Sequence, residues 1–208
     1  MTEKQHQIVI GTLLGDSWIQ DGMLRLKQCA RHKEYVFWLY QQLEDISSKF
    51  PRQREDNGQW YFQTRKLPEV ETYERLFYRN GKKIVPKTID EFLISPLSLA
   101  IWYMDDGTLD WRIKDHYAFR LTTNCFSMIE NEKLIKVLKE NFSVKANLQT
   151  TLIRGKRYPL IYIGKEGRDR FFRLVRPFIL NCFSHKLPPN IRTPQRLLSV
   201  KKEMAVKH

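Results

Sequence analysis

Cysteine, acid and long apolar runs are all scarce in this chain. Its 208 residues hold three cysteines, Cys29, Cys125 and Cys182, with no CxxC spacing. An odd number so spaced excludes a full disulfide framework and favours a reducing, intracellular compartment. The five histidines form no HxxxH or Cys–His cluster, so a structural zinc site is not expected. No apolar run approaches the ~18 residues of a membrane span. The first residues, Met-Thr-Glu-Lys-Gln-His-Gln, lack the apolar segment of a signal peptide and the Arg-rich pattern of a transit peptide. Acids are outnumbered, with 23 Asp plus Glu against 36 Lys plus Arg, a formal net charge of +13. The basic excess is spread along the chain. A folded protein this basic meets a polyanion, with nucleic acid the leading candidate and a basic ribosomal protein the bland alternative.

What is present argues for a packed protein. Apolar residues make up 42%, with 12 Phe, 9 Tyr and 5 Trp. The length suffices for one domain with a large core or for two small ones. The chain is organised around the stretch Ser95 to Gly107. Ser95 suits a helix N-cap, Pro96 the first helical position, and Gly107 the residue just past the end, where a left-handed conformation is common. Apolar residues from Leu99 to Met104 make the helix buried, yet it ends on Asp105 and Asp106. Carboxylates are unfavourable at the negative end of a helix, and desolvation adds to the cost. Something positive is expected there, either a nearby Arg or Lys or a metal ion. Ile8 to Ser17 repeats the arrangement, an apolar helical run ending on Asp16, and such a repeat calls for further duplication.

That duplication is present. After Asp16, the Asp21-Gly22 turn leads to an alternating strand, Met23 to Cys29, with Leu24 and Leu26 on one face and Arg25 and Lys27 on the other. A helix from His32 to Ile46 follows, then a basic strand from Phe50 to Arg54 and the Asn57-Gly58 turn. Beyond it, Gln59, Tyr61, Gln63 and Arg65 alternate with Trp60, Phe62 and Thr64. A helix over Pro68 to Tyr78 and a Gly81-Lys82-Lys83 loop close the half. In the second half, Asp106 is followed by a loop. A strand from Tyr117 to Asn124 then puts Arg120, Thr122 and Asn124 on one face. A helix covers Asn131 to Phe142. In the strand Val144 to Ile153, Lys145, Asn147, Gln149 and Thr151 share a face. After a turn at Arg154-Gly155-Lys156 come a strand, Leu160 to Ile163, and a helix from Arg168 that Pro177 interrupts. Leu24-Arg25-Leu26 answers Phe119-Arg120-Leu121. Lys83-Ile84-Val85-Pro86 answers Lys186-Leu187-Pro188-Pro189.

These residues resemble the LAGLIDADG homing endonucleases of the double-motif type. Gly11-Thr12-Leu13-Leu14-Gly15-Asp16-Ser17 and Leu99-Ala100-Ile101-Trp102-Tyr103-Met104-Asp105-Asp106-Gly107 look like the two signature helices. The resemblance implies an α+β fold and a monomer. Two pseudo-symmetric αββαββα halves, residues 1–94 and 95–208 with a basic C-terminal tail, would form a saddle of antiparallel sheets over duplex DNA. Gly11 and Gly15 fit close packing of the signature helices. Ile101 and Trp102 break its symmetry, and Ser17 replaces the usual final glycine.

The resemblance further implies one catalytic aspartate per scissile strand, Asp16 and Asp106, holding Mg²⁺, for which Mn²⁺ substitutes. The backbone carbonyls near Gly15 and Asp105 would assist, Asp105 being a neighbour and not the main ligand. Lys83 and Lys186 match the family's active-site lysines. The strand faces would supply the DNA readers: Arg25, Lys27, Gln59, Tyr61, Gln63 and Arg65 in one half, and Arg120, Thr122, Asn124, Lys145, Asn147, Gln149 and Thr151 in the other. The unlike sets predict an asymmetric site. The expected activity is Mg²⁺-dependent double-strand cleavage leaving short 3′ overhangs. The rivals are an RNA-binding maturase of the host intron and a DNA-binding regulator without cleavage. An intracellular location, organellar or cytoplasmic, is expected.

Overall fold

The computed structural model describes residues 1–112 and 116–189; the basic tail beyond them lies outside the described residues. The first helix, α1 (Glu3–Leu14), starts earlier than its apolar run. Thr2 accepts from the Gln5 N–H while the Gln5 side chain accepts from the Thr2 N–H, a reciprocal cap. The helix ends at Gly15, whose N–H bonds to the Gly11 and Thr12 carbonyls. Strands β1 (Trp18–Gln20) and β2 (Met23–Gln28) form a hairpin. Its turn residues, Asp21 and Gly22, have φ of 57° and 72°, the twist a two-residue hairpin requires. Helix α2 (Lys33–Leu43) leads to β3 (Arg52–Gln53) and β4 (Trp60–Gln63), followed by α3 (Pro68–Phe77). A small hairpin, β5 (Tyr78–Arg79) and β6 (Lys82–Lys83), and a one-turn helix, α4 (Ile89–Phe92), complete the first half.

The second half runs through α5 (Pro96–Asp106), β7 (Gly107–Trp111), β8 (Tyr117–Leu121), α6 (Met128–Phe142), β9 (Asn147–Ile153), β10 (Lys156–Ile163) and α7 (Arg168–Val175), and reaches a 3₁₀ segment, Asn181–Lys186. The Ser95 hydroxyl caps α5 by accepting from the Leu97 N–H. Helix α7 stops two residues before Pro177. The two sheets have orders β1-β2-β4-β3 and β7-β8-β10-β9, every pairing antiparallel. The halves are therefore topological copies in their helices α1 and α5 and their four-stranded sheets, the β5–β6 hairpin being an addition to the first half.

Helices α1 and α5 pack against each other inside one continuous core that includes Ile8, Leu13, Ile101, Trp102 and Tyr103. Glycine sets their separation. A Cβ on Gly11 would lie 2.7 Å from the Ser98 carbonyl oxygen and 2.8 Å from Ile101 Cβ, so the bulk of Ile101 fits only because residue 11 has none. The buried Ser98 hydroxyl is shared between the Gln7 carbonyl, 2.8 Å away, and Gln7 Oε1, 2.7 Å away, so it is satisfied across the seam.

Several expectations are corrected. The segment after Asp106 is strand β7 and not a loop. Gly107 and Asp110 are poor strand formers, and β8 supplies the pairing that holds them. Gly107 has φ −81°, extended and not left-handed. Its role is space, since a Cβ there would lie 1.9 Å from Tyr103 Cδ2. The Gly81 to Lys83 loop belongs to the β5–β6 hairpin about Asn80-Gly81, both at positive φ. Helix α6 begins at Met128, because Ser127 and Glu130 form a second reciprocal cap. Gln59 and Arg65 fall outside β4, Thr122 and Asn124 beyond β8, and Lys145 before β9.

Candidate active site

The two signature helices bring their last turns together. Asp16 follows Gly15 just past α1 and is exposed, whereas Asp105 and Asp106 close α5 and are half-buried. The Asp16 N–H donates to Asp105 Oδ2 at 3.2 Å. A Cβ on Gly15 would sit 2.4 Å from Asp105 Cβ, so only glycine allows this approach. The amide of Gln28, the last residue of β2, donates to Asp16 Oδ2 at 2.8 Å and to Asp105 Oδ1 at 3.3 Å. The side chain of Asp106 has no hydrogen-bond or ion-pair partner among the described residues.

The electrostatics follow from this crowding. Burial, with the charges of Asp16 and Asp106, pushes the Asp105 carboxyl well above the usual range. Burial and Asp16 raise Asp106 to about 7, although Lys83 and Lys186 pull the other way. Burial, then the adjacent Asp105, raises the Tyr35 phenol.

The two lysines sit behind the acids and not on them. Lys83 Nζ donates to the carbonyls of Gly15 and Ser17 at 2.9 and 2.6 Å. Lys186 Nζ donates to the carbonyls of Tyr103, Met104 and Asp105 at 3.3, 2.6 and 3.4 Å. Each lysine thus satisfies orphan carbonyls at the end of its own half's signature helix, where a cation offsets the negative helix end. Tyr103 locks the second arrangement by donating its hydroxyl to the Lys186 carbonyl at 2.7 Å. Burial lowers both ammonium pKa values.

This donor set fits a hard divalent cation. Asp106 offers a desolvated, unpaired carboxylate and Asp16 a second one, while Lys83 and Lys186 donate to backbone carbonyls and not to either acid. No three acidic, His or Cys side chains among the described residues converge into a closed cage. Mg²⁺ is commonly held by one or two carboxylates and completed by water and phosphate oxygens.

The sheets carry rows of outward-facing side chains. In the first sheet, register aligns Trp18 with Arg25 and Gln63, and Lys27 with Tyr61 and Arg52. In the second, it aligns Thr108, Arg120, Tyr162 and Asn147, then Leu160 with Gln149 and Tyr158 with Thr151. Of the expected readers, Arg25, Lys27, Tyr61, Gln63, Arg120, Asn147, Gln149 and Thr151 lie in these rows. The others do not. Gln59 sits in the loop before β4, Thr122 and Asn124 are exposed past β8, the Arg65 guanidinium donates to the Asp45 carbonyl, and Lys145 pairs with Glu166 at 2.7 Å. Arg120 is also engaged, with Asp110 at 2.6 Å. Sequence reasoning missed Gln28, Tyr35, Trp18, Arg52, Thr108 and Tyr162. Gln28 was legible as the residue after Lys27 on an alternating strand, but the place where that strand ends was not.

Comparison with known proteins agrees with this geometry. The chain is 27% identical to DNA endonuclease I-ChuI from Chlamydomonas applanata, over 90% of this chain and 95% of that protein. It is 26% identical to the cytochrome b mRNA maturase bI2 of Debaryomyces hansenii, over 90% and 74% respectively. Among solved structures, the homing endonuclease I-WcaI bound to its DNA recognition sequence matches with a TM-score of 0.76 and 25% identity, covering 90% of this chain and 87% of that one. A sequence model of the LAGLIDADG DNA endonuclease family matches residues 6–171, a span that takes in both acid-bearing helices and both sheets. The chain belongs to the LAGLIDADG DNA endonuclease family.

Proposed function

We propose that this chain is a divalent-metal-dependent, site-specific endonuclease that cuts both strands of a long asymmetric duplex DNA site across the minor groove and leaves short 3′ overhangs. The carrying observation is the meeting of two acid-bearing helix ends between two sheets with polar and cationic outward rows. Similarity to I-ChuI over nearly its whole length and to I-WcaI on its DNA supports the reading.

Asp16 and Asp106 are the residues that would hold Mg²⁺ or Mn²⁺, and the carbonyls of Gly15 and Asp105 keep a second lone pair for the same purpose. Such an ion, when bound, acidifies water and neutralises phosphate charge. The rest is the chain's own work. Each half, residues 1–94 and 95–208, serves one strand. Lys83 and Lys186 are pre-organised by their backbone carbonyls and put positive charge beside the acids, where it stabilises the charge that develops on the attacked phosphate. Gln28 orients the Asp16 and Asp105 carboxylates. The two-stranded ribbons enter the major groove, with Arg25, Lys27, Tyr61 and Gln63 on one flank and Arg120, Asn147, Gln149 and Thr151 on the other. The unlike rows select an asymmetric sequence.

The test is a random-insert duplex library incubated with the protein in Mg²⁺ and, in parallel, in Ca²⁺, with bound and cut molecules sequenced. One enriched asymmetric site, cut only in Mg²⁺, is expected. A site bound in both ions and cut in neither overturns the nuclease reading in favour of a regulator. Similarity to the cytochrome b maturase favours one further activity, assistance of intron RNA, read as faster splicing of the host intron when the protein is added.

A further inference from the structure

Gln28 reaches both acids, and something must hold its amide the right way round. We infer that His32 is a positioning residue that orients the Gln28 amide towards Asp16 and Asp105. His32 closes the 3₁₀ segment Ala30–His32 and precedes α2. Its Nδ1 lies 3.4 Å from Gln28 Oε1 and 3.7 Å from Cys29 Sγ. Its Nε2 is buried with no hydrogen-bond partner among the described residues. The ring is wedged by the segment that carries Lys186. Phe183 packs on it at 4.3 Å between centroids, and the His185 ring lies parallel at 6.5 Å.

The tautomer follows from these contacts. A neutral imidazole has one N–H donor and one bare acceptor nitrogen. Burial, with the positive charge of Lys186, His185 and Arg31, disfavours a second proton and outweighs the opposing pull of Asp16. A proton on Nε2 would bury a donor with no acceptor. A proton on Nδ1 donates to Gln28 Oε1, which turns the Gln28 NH₂ towards the carboxylates. The reverse amide orientation would set a carbonyl oxygen against two acids. The relay therefore runs from Nδ1–H to Oε1, and from Nε2–H of Gln28 to Asp16 and Asp105.

Among the described residues, no equivalent relay exists in the other half. By the match of Leu24-Arg25-Leu26 to Phe119-Arg120-Leu121, Gln28 corresponds to Thr123, whose hydroxyl is buried and donates to Asn131 Oδ1. The His32 device thus serves one side of a pseudo-symmetric centre, and its loss slows one strand more than the other.

The proposal rests on the endonuclease reading for its kinetic arm but not for its structural arm. In the DNA-free protein, ¹⁵N shifts of the His32 ring are expected to report protonation at Nδ1; protonation at Nε2 overturns the proposal, whatever the activity. In the kinetic arm the substrate is the duplex that the wild-type protein enriches from the random-insert library. Asparagine places an amide nitrogen at the position of Nδ1, and glutamine places it at that of Nε2. His32→Asn is expected to retain the single-turnover rate. His32→Gln and His32→Ala lose ~10-fold or more with unchanged Kd and accumulate nicked product. In a Gln28→Ala background, His32→Ala adds no further loss. Equal loss in His32→Asn and His32→Ala, or additive losses with Gln28→Ala, overturns the proposal. If the wild type enriches no duplex, the endonuclease reading fails separately, and the ¹⁵N arm still decides.

Discussion

The backbone N–H of Asp16 donates to the Asp105 carboxylate at 3.2 Å, joining residues 89 apart in sequence. This contact ties the end of α1 to the last turn of α5. It offsets part of the cost of desolvating Asp105, and it depends on Gly15 lacking a side chain. The acids of the two halves are thereby held in one place.

Replacing Gly15 tests that dependence. In Gly15→Ala the new methyl would lie 2.4 Å from Asp105 Cβ and Oδ2, so one helix must shift. Overpacking of this kind costs ~1–3 kcal/mol. A lowered urea midpoint is expected, and an unchanged midpoint would show that the seam relaxes freely.

The Asp106 carboxyl gives a pH signature. Its pKa rises on folding from 3.8 to about 7, mainly through burial and also through the charge of Asp16. The folded state therefore binds more protons than the unfolded state between these values, and stability falls as pH rises through that window. Asp106→Asn removes its share of this slope and makes it shallower, while Asp105, also raised by burial, keeps its own. Urea midpoints of the metal-free protein measured across that window check the sign. The same variant is expected to bind its duplex and fail to cut it; full activity would sink the assignment of Asp106.

Lys186 holds the Met104 carbonyl at 2.6 Å and lies beside both acids of α5. Lys186→Met is expected to slow cleavage by about 10²-fold, the scale for losing one pre-organised donor to a developing charge. Duplex binding should stay within about threefold. Equal losses in rate and in affinity would reduce Lys186 to a phosphate contact.

Lys27 and Lys145 separate the outward rows from their surroundings. Lys27 is exposed in the row shared with Tyr61 and Arg52, whereas Lys145 precedes β9 and pairs with Glu166. Lys27→Ala should reduce the salt slope of duplex binding by ~1. Lys145→Ala should reduce it less, and the opposite order would mean that the register of the sheet does not define the DNA face.

Local chemistry was legible in the sequence where a few consecutive residues decide the structure. Ser95 and Pro96 start a helix, Asp21-Gly22 turns a hairpin, Pro177 stops α7, and Arg25 and Lys27 alternate with Leu24 and Leu26. The repeat of a helix ending on aspartate pointed to a shared centre, and the alternation marked eight of the thirteen expected readers correctly as sheet-face residues. Strand β7 was not legible, because its Gly107 and Asp110 disfavour strands and pairing with β8 overrides that preference.

By itself, then, the sequence determined which residue types stand at the helix ends, where α5 starts and the first hairpin turns, and that the pattern occurs twice, since each depends on neighbours within one or two turns of chain. Only the tertiary structure decided that Lys186 caps α5 from 82 residues away at Met104, that Gln28 reaches Asp105 across 77 residues, and that His32 lies under Phe183. Those contacts follow from how the glycine-notched α1, its partner α5 and two sheets close on one core, and no local preference encodes the distances that result.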